Sequence, residues 1–233
     1  MLDYIQRDLG QNPNFSVIWL HGLGADGHDF EPIVPELNLP SSTSVRFIFP
    51  HAPQQPVTIN GGMVMRAWYD ILSMEIAGQV DEGGIDRSAE LVKELISQEL
   101  DRGIGSDHIL LAGFSQGGAI ALQTGLLYDK PLLGILALSA YLPIPRRVQF
   151  REDPVNQSMP IFMGHGTEDP VVPIQLGRQS FEYLNDQGYA VEWYTYPMQH
   201  SVSIEEIRDV GVWMTTIMQM QPDVNLPVTD QWK

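Results

Sequence analysis

One serine and the glycines around it carry the clearest chemical signal in this chain. Gly113-Phe-Ser115-Gln-Gly117 fits the G-x-S-x-G pattern, in which glycines remove side chains that would collide as the backbone reverses sharply around a strained serine. Such a turn exposes the hydroxyl for attack on an acyl carbon. A serine hydroxyl is a weak nucleophile at neutral pH, so it needs a base within hydrogen-bond reach and a third group that fixes the tautomer of the base. The chain has six histidines and no cysteine, which excludes disulfides, thiolate zinc sites and a cysteine nucleophile.

The elements around Ser115 are those such a turn requires. Ile109 to Ala112 is a short, wholly apolar run, as expected of a strand covered on both faces, and from Gln116 onward Ala119, Ile120, Leu122 and Leu126 recur at helical intervals. Gly118 and Ala119 let that helix lie close to the strand, and its N-terminus points free N–H groups at the reacting centre. Further strands are expected at Ser16–His21, Val45–Phe49, Gly134–Ser139, Pro160–His165 and Val191–Tyr196. Helices are expected at Ile85–Arg102, Ile174–Gln187 and Ser203–Met220. The residues before Ser16 read as a polar lead-in, and Gln221–Lys233, with two prolines and no periodic pattern, as a loosely attached tail. This serial alternation predicts one α/β domain over residues 1–233, its sheet mostly parallel and covered by helices on both faces, with ligands beyond the carboxyl ends of the strands.

Gly22-Leu-Gly24-Ala-Asp-Gly27 follows the first of these strands and formally matches a dinucleotide-binding G-x-G-x-x-G. That reading also wants an acidic residue about 20 positions further on, and none occurs between Glu36 and Asp70. The competing reading is a loop whose backbone N–H, at Leu23, completes an oxyanion hole. The stretch Gly61–Met74 is apolar and rich in methionine without clean periodicity, so lid, pocket wall, dimer contact and plain packing are all open to it. Met65 and Trp68 are its candidate substrate contacts, and Asp70, a lone carboxylate among apolar neighbours, reads as a structural hydrogen-bonding group.

In α/β-hydrolases the serine precedes the acid and the acid precedes the histidine, which removes His21, His28, His51 and His108 as the base. His165 and His200 follow Ser115; His200 stands in the loop after the last strand, where an imidazole can swing over the serine. Asp169, with Glu168 as rival, stands after the strand ending at His165, and Pro170 then carries the chain away.

HGLGADGHDF, FIFPHAP, MRAWYDI, GFSQGGAIAL, HGTEDPVVP and MQHSV together resemble the phospholipase/carboxylesterase family of small α/β-hydrolases, over nearly the whole chain apart from its two ends. The resemblance implies the α/β-hydrolase fold, Ser115 as nucleophile, Asp169 as acid, His200 as base, and the Leu23 and Gln116 amides as oxyanion donors, with no metal or organic cofactor. Members of that family act on simple carboxylic esters, lysophospholipids or S-acylated proteins with the same triad; the expectation is a serine carboxylesterase for short- to medium-chain acyl esters, with an acyl-protein thioesterase or lysophospholipase for long chains as the alternative.

Acidic residues outnumber basic ones 29 to 13, for a formal charge of −16, so nucleic acid and anionic membrane surfaces are expected to be repelled. The N-terminus has neither a basic start nor an apolar core, and no apolar run reaches 18 residues. A cytoplasmic protein with a small-molecule acyl ester as partner, no stable membrane insertion and scope for a homodimer is the expectation.

Overall fold

In a computed structural model, which describes residues 1–73, 79–149 and 154–221, a seven-stranded sheet forms the centre of the molecule. Its strands are β1 (Tyr4–Leu9), β2 (Phe15–Leu20), β3 (Val45–Pro50), β6 (Ile109–Phe114), β7 (Gly134–Leu138), β8 (Ile161–Gly166) and β9 (Val191–Tyr196), in the spatial order β1-β3-β2-β6-β7-β8-β9. All neighbours are parallel except β1, which pairs antiparallel with β3. A separate hairpin joins β4 (Gln54–Val57) to β5 (Met63–Arg66). The helices are α1 (Glu82–Asp101), α2 (Gln116–Leu127), α3 (Pro145–Gln149), α4 (Ile174–Asp186) and α5 (Ile204–Gln219). A 3₁₀ segment covers Glu31–Leu37.

Strand period decides which residue meets which helix. In β2, Val17 and Trp19 face a core completed by Val34 and Leu37 of the 3₁₀ segment and by Ile207, Val210 and Met214 of α5. Ile18 and Leu20, one residue out of phase, face the core shared with α1 and α2. Because both faces are covered, the central strands read as unbroken apolar runs. Helix α1 starts three residues earlier than its apolar stripe suggests, because Asp81 caps it by accepting from the Gly84 amide at 2.9 Å.

Four elements were not anticipated. The expected polar lead-in is β1, an edge strand whose charged residues Arg7 and Asp8 blur its alternation. The hairpin, the 3₁₀ segment with its internal Pro35 and the five-residue α3 are too short for a period to register. The hairpin also resolves most of the Gly61–Met74 stretch: Gly61 and Gly62 adopt positive φ in its turn, and Met63 and Val64 are solvent-exposed. Asp70 fastens its base, Oδ1 accepting from the Thr58 amide at 2.7 Å and Oδ2 from the Thr58 hydroxyl at 2.5 Å. Met74, and all of the expected tail beyond Gln221, lie outside the described residues. Among the described residues no helix is long and apolar enough to cross a membrane.

Glu206, in the first turn of α5, is fully buried against the backbone of Gly164 in β8. Burial pushes its carboxyl up to about 8, outweighing the pull of the Ser203 amide, with nearby Asp209 adding to the rise. Between the ordinary glutamate pKa near 4.5 and about 8, the folded chain therefore holds a proton that the unfolded chain has released, and stability falls as pH rises through that window. Glu206→Gln removes this dependence. It should raise Tm by several degrees at pH 7.5, the equivalent of about 4 kcal/mol at most, and change it little at pH 4.5. Calorimetry across that range checks both ends.

Candidate active site

The parallel strands end on one rim, and the loops leaving that rim build the site. Ser115 follows β6 immediately and stands at φ 54°, ψ −120°, a conformation that L-residues rarely adopt. The glycines around it are required by contact: a Cβ on Gly117 would run into the carbonyls of Leu20 and His21, and one on Gly113 into the Gly117 backbone. The turn is held from outside as well, since the Ser115 amide donates to the Leu138 carbonyl of β7 at 2.8 Å.

His200 lies in the loop between β9 and α5, and Asp169 in the loop after β8. Ser115 Oγ is 2.9 Å from His200 Nε2, and His200 Nδ1 is 2.7 Å from Asp169 Oδ2. Because a carboxylate only accepts, Nδ1 carries the imidazole proton and Nε2 is left to receive the one on Oγ. The other Asp169 oxygen, Oδ1, accepts from the amides of Val171 and Val172 at 2.8 and 2.9 Å, which fixes the carboxylate's direction. Glu168, beside it, is exposed, whereas Asp169 is buried. The ring of Phe114 lies against His200, with centroids 4.8 Å apart, and holds the imidazole over the serine.

His165 is fully buried, and its Nε2 donates to the Val172 carbonyl at 2.8 Å, so it braces the Asp169 loop from beneath. Burial lowers its pKa, which suits a neutral supporting group.

A cavity of about 460 Å³ opens over Ser115. Leu23, Ile59, Ile71, Phe114, Tyr141 and Val171 give it a largely apolar wall, and Leu23 and Gln116 border it beside the serine. Gln116 is the first residue of α2. Among the described residues neither the Leu23 nor the Gln116 amide donates to a protein acceptor, whereas the flanking Gly24 and Ala25 amides are tied to Arg66 and Gly22. Two free N–H groups beside a nucleophile are what an oxyanion requires.

Two expected substrate contacts are corrected here. Trp68 does not line the cavity; it is 1% exposed, and its indole N–H donates to the His21 carbonyl at 2.9 Å. Met65 sits on the hairpin beside Gly24, accepting a contact from Asn60, also off the cavity wall. Their apolar character serves packing. The wall residues Tyr69 and Tyr141, hydroxyls 3.3 Å apart, went unnoticed in the sequence. Tyr141 could have been found from its place just beyond the carboxyl end of β7. The Gly22–Gly27 loop is no phosphate turn: Gly27 packs against the Phe49 carbonyl, its amide donates to His51 Nδ1 at 3.1 Å, and the 3₁₀ segment, not an α-helix, follows. Among the described residues no cluster of His, Asp and Glu could hold a metal ion.

This fold and this constellation define an α/β-hydrolase of the serine type. The sequence matches the phospholipase/carboxylesterase family over residues 9–218, and the chain belongs to that family. It is 37% identical over 227 residues to acyl-protein thioesterase 1 of Mycosarcoma maydis, covering 91% of this chain and 95% of that protein. To acyl-protein thioesterase 1 of Neurospora crassa it is 40% identical over 211 residues, 86% of this chain and 85% of the relative. The crystal structure of Zea mays acyl-protein thioesterase 2 superposes with a TM-score of 0.81 at 27% identity, covering 92% of this chain and 99% of that one. The protein is a serine hydrolase of the esterase/thioesterase type.

The two histidines make separable predictions. His200→Ala should lower kcat by about 10⁶-fold and Asp169→Asn by about 10⁴-fold, the latter because the amide favours the wrong imidazole tautomer. His165→Asn should act mainly on Tm, leaving kcat within about one order of magnitude of the parent. Steady-state kinetics with thermal melts on all three variants checks this.

Proposed function

We propose that the protein hydrolyses short- to medium-chain carboxylic acyl esters through an acyl-Ser115 intermediate. The observation that carries the reading is the unbroken chain of hydrogen bonds from Ser115 Oγ through His200 to Asp169 at the floor of an apolar cavity. His200 Nε2 takes the hydroxyl proton as Oγ attacks the acyl carbon, and the tetrahedral oxyanion is met by the Leu23 and Gln116 amides. As the carbonyl re-forms, the acyl–oxygen bond breaks and the same proton passes from His200 to the departing alkoxide, releasing an alcohol. Water, deprotonated by His200, then attacks acyl-Ser115 through a second oxyanion, and Ser115 regains its proton as the carboxylic acid leaves. Each amide donor is worth about 10²- to 10³-fold in kcat. The cavity, about 460 Å³ and walled mainly by apolar side chains, falls within the 300–1,000 Å³ typical of ligand sites and offers room for an acyl group.

A second reading is thioester hydrolysis on long-chain S-acylated proteins, favoured by the relatives named acyl-protein thioesterase 1. It uses the same steps with a thiol in place of the alcohol.

Ser115→Ala should leave the fold intact, abolish covalent labelling by an organophosphonate and cut hydrolysis of p-nitrophenyl butyrate by about 10⁶-fold. Full activity in that variant would refute the assignment. A series of kcat/KM values over butyryl to palmitoyl oxygen esters and thioesters separates the two readings: a maximum at or below eight carbons on oxygen esters supports the first, and one at palmitoyl thioester the second.

A further inference from the structure

Gln116 has a side chain as well as the amide that faces the cavity, and the two point to different tasks. The residue is 3% exposed. Its Oε1 accepts from the Trp68 amide at 2.8 Å, and its Nε2 donates to the Tyr69 carbonyl at 2.7 Å. The chemistry admits one orientation only, because a backbone N–H only donates and a carbonyl only accepts. The carboxamide thus grips the Trp68–Tyr69 segment, which belongs to no strand.

That segment in turn holds the Leu23 loop. The Trp68 indole N–H donates to the His21 carbonyl, and the Gly24 amide donates to the Arg66 carbonyl at 2.9 Å, so the residues on both sides of Gly22-Leu23 are bound to the 66–68 stretch. His21 is locked further, accepting the Ala52 amide at Nε2 (3.0 Å) and bonding the Gly22 carbonyl through Nδ1 (2.7 Å). From the other side, Ser88 Oγ donates to the Trp68 carbonyl. A closed circuit results: Gln116 carboxamide, Trp68, the His21–Gly24 loop, the cavity, and the Gln116 amide.

We propose that the Gln116 carboxamide is a positioning group for catalysis, fixing the separation of the Leu23 and Gln116 amides so that the oxyanion hole is formed before substrate arrives. The inference rests on the acyl-serine reading above. It gives Trp68 a defined place as the strut of the circuit, and it explains the buried carboxamide bonded at both its oxygen and its nitrogen under the serine turn. A group one methylene shorter cannot reach both partners, and a carboxylate cannot donate to Tyr69. Displacing a donor by about 1 Å is enough to lower turnover by about 10²-fold without touching substrate contacts.

The test uses Gln116→Ala in the full chain, with p-nitrophenyl butyrate as substrate and a butyl trifluoromethyl ketone, which adds to Ser115 as an oxyanion hemiketal, as probe. The expected result is a fall in kcat of about 10- to 100-fold. KM should stay within about threefold, and the ketone Ki should weaken in proportion to kcat, as binding that mimics the transition state must. Organophosphonate labelling run to its endpoint should still reach one per chain, showing that the nucleophile survives. A purely structural role would lower Tm and leave kcat and Ki within about threefold of the parent, and that result overturns the proposal, as does a fall in kcat with an unchanged Ki. If Gln116→Ala does not fold, Trp68→Phe, which deletes the indole donor and keeps a ring, takes the same measurements; parallel losses in kcat and ketone affinity are expected, and their absence overturns it. Failure of the parent protein to hydrolyse or label at all would sink the acyl-serine reading instead.

Discussion

The backbone at Ser115 departs from every neighbouring residue in β6 and α2, and the surrounding structure is arranged to keep it there. A non-glycine residue at φ 54° costs of order 1–3 kcal/mol and persists only where its surroundings over-determine it. Here they do so by exclusion and by bonding. Gly113 and Gly117 allow β6 and α2 to meet at a distance no side chain would permit, Gly118 lets Ala140 close in, and the Leu138 carbonyl takes the Ser115 amide. Helix α2 is buried along nearly its whole length, so the turn cannot relax by moving the helix. The strain is retained because the core on either side of it is already filled.

From this fixed point the other participants need only short loops. Strands β6, β8 and β9 run parallel and end together, so Ser115, Asp169 and His200 arrive at one rim although 85 residues separate the first from the last. Each side chain is then aimed locally: Asp169 by two amides of its own loop, His200 by that carboxylate and by the Phe114 ring, and the Asp169 loop by buried His165. The Leu23 amide comes from the loop after β2 and the Gln116 amide from the start of α2, just beyond β6, and β2 and β6 are adjacent in the sheet.

Much of this was legible in the sequence because it depends on residue types with few alternatives. Short, mainly apolar runs marked the five central parallel strands, the β-α alternation marked Val191–Tyr196 as β9, and the elbow glycines marked the turn, since nothing else fits there. Pro170 and the serine-acid-histidine order pointed to the pair that the coordinates bring within hydrogen-bond reach of one another and of Ser115. What stayed hidden depends on pairing or on side-chain direction. Strand β1 owes its existence to β3, to which it hydrogen-bonds residue by residue, and its own charged residues conceal it. Trp68 and Met65 looked like ligand contacts because a large apolar side chain in an irregular segment has no period to say which way it faces. Trp68 turns inward to satisfy a carbonyl, and Tyr69, its immediate neighbour, is the one that reaches the cavity. The clamp on that segment is invisible in sequence because a glutamine after a nucleophilic serine gives no hint of what its carboxamide bonds.

Strand β9 borders the sheet and pairs there with β8 alone, its outer residues touching α4 and bonding to α5, while the serine rides on β6 in the middle. Local opening breaks fewer sheet contacts at a border strand than at a central one, and His200 follows the former whereas Ser115 follows the latter. Warming the protein would therefore disconnect the imidazole before it disturbs the nucleophile. Loss of turnover then reports the fraying of one border strand, and a molecule cooled in time regains its activity without having unfolded.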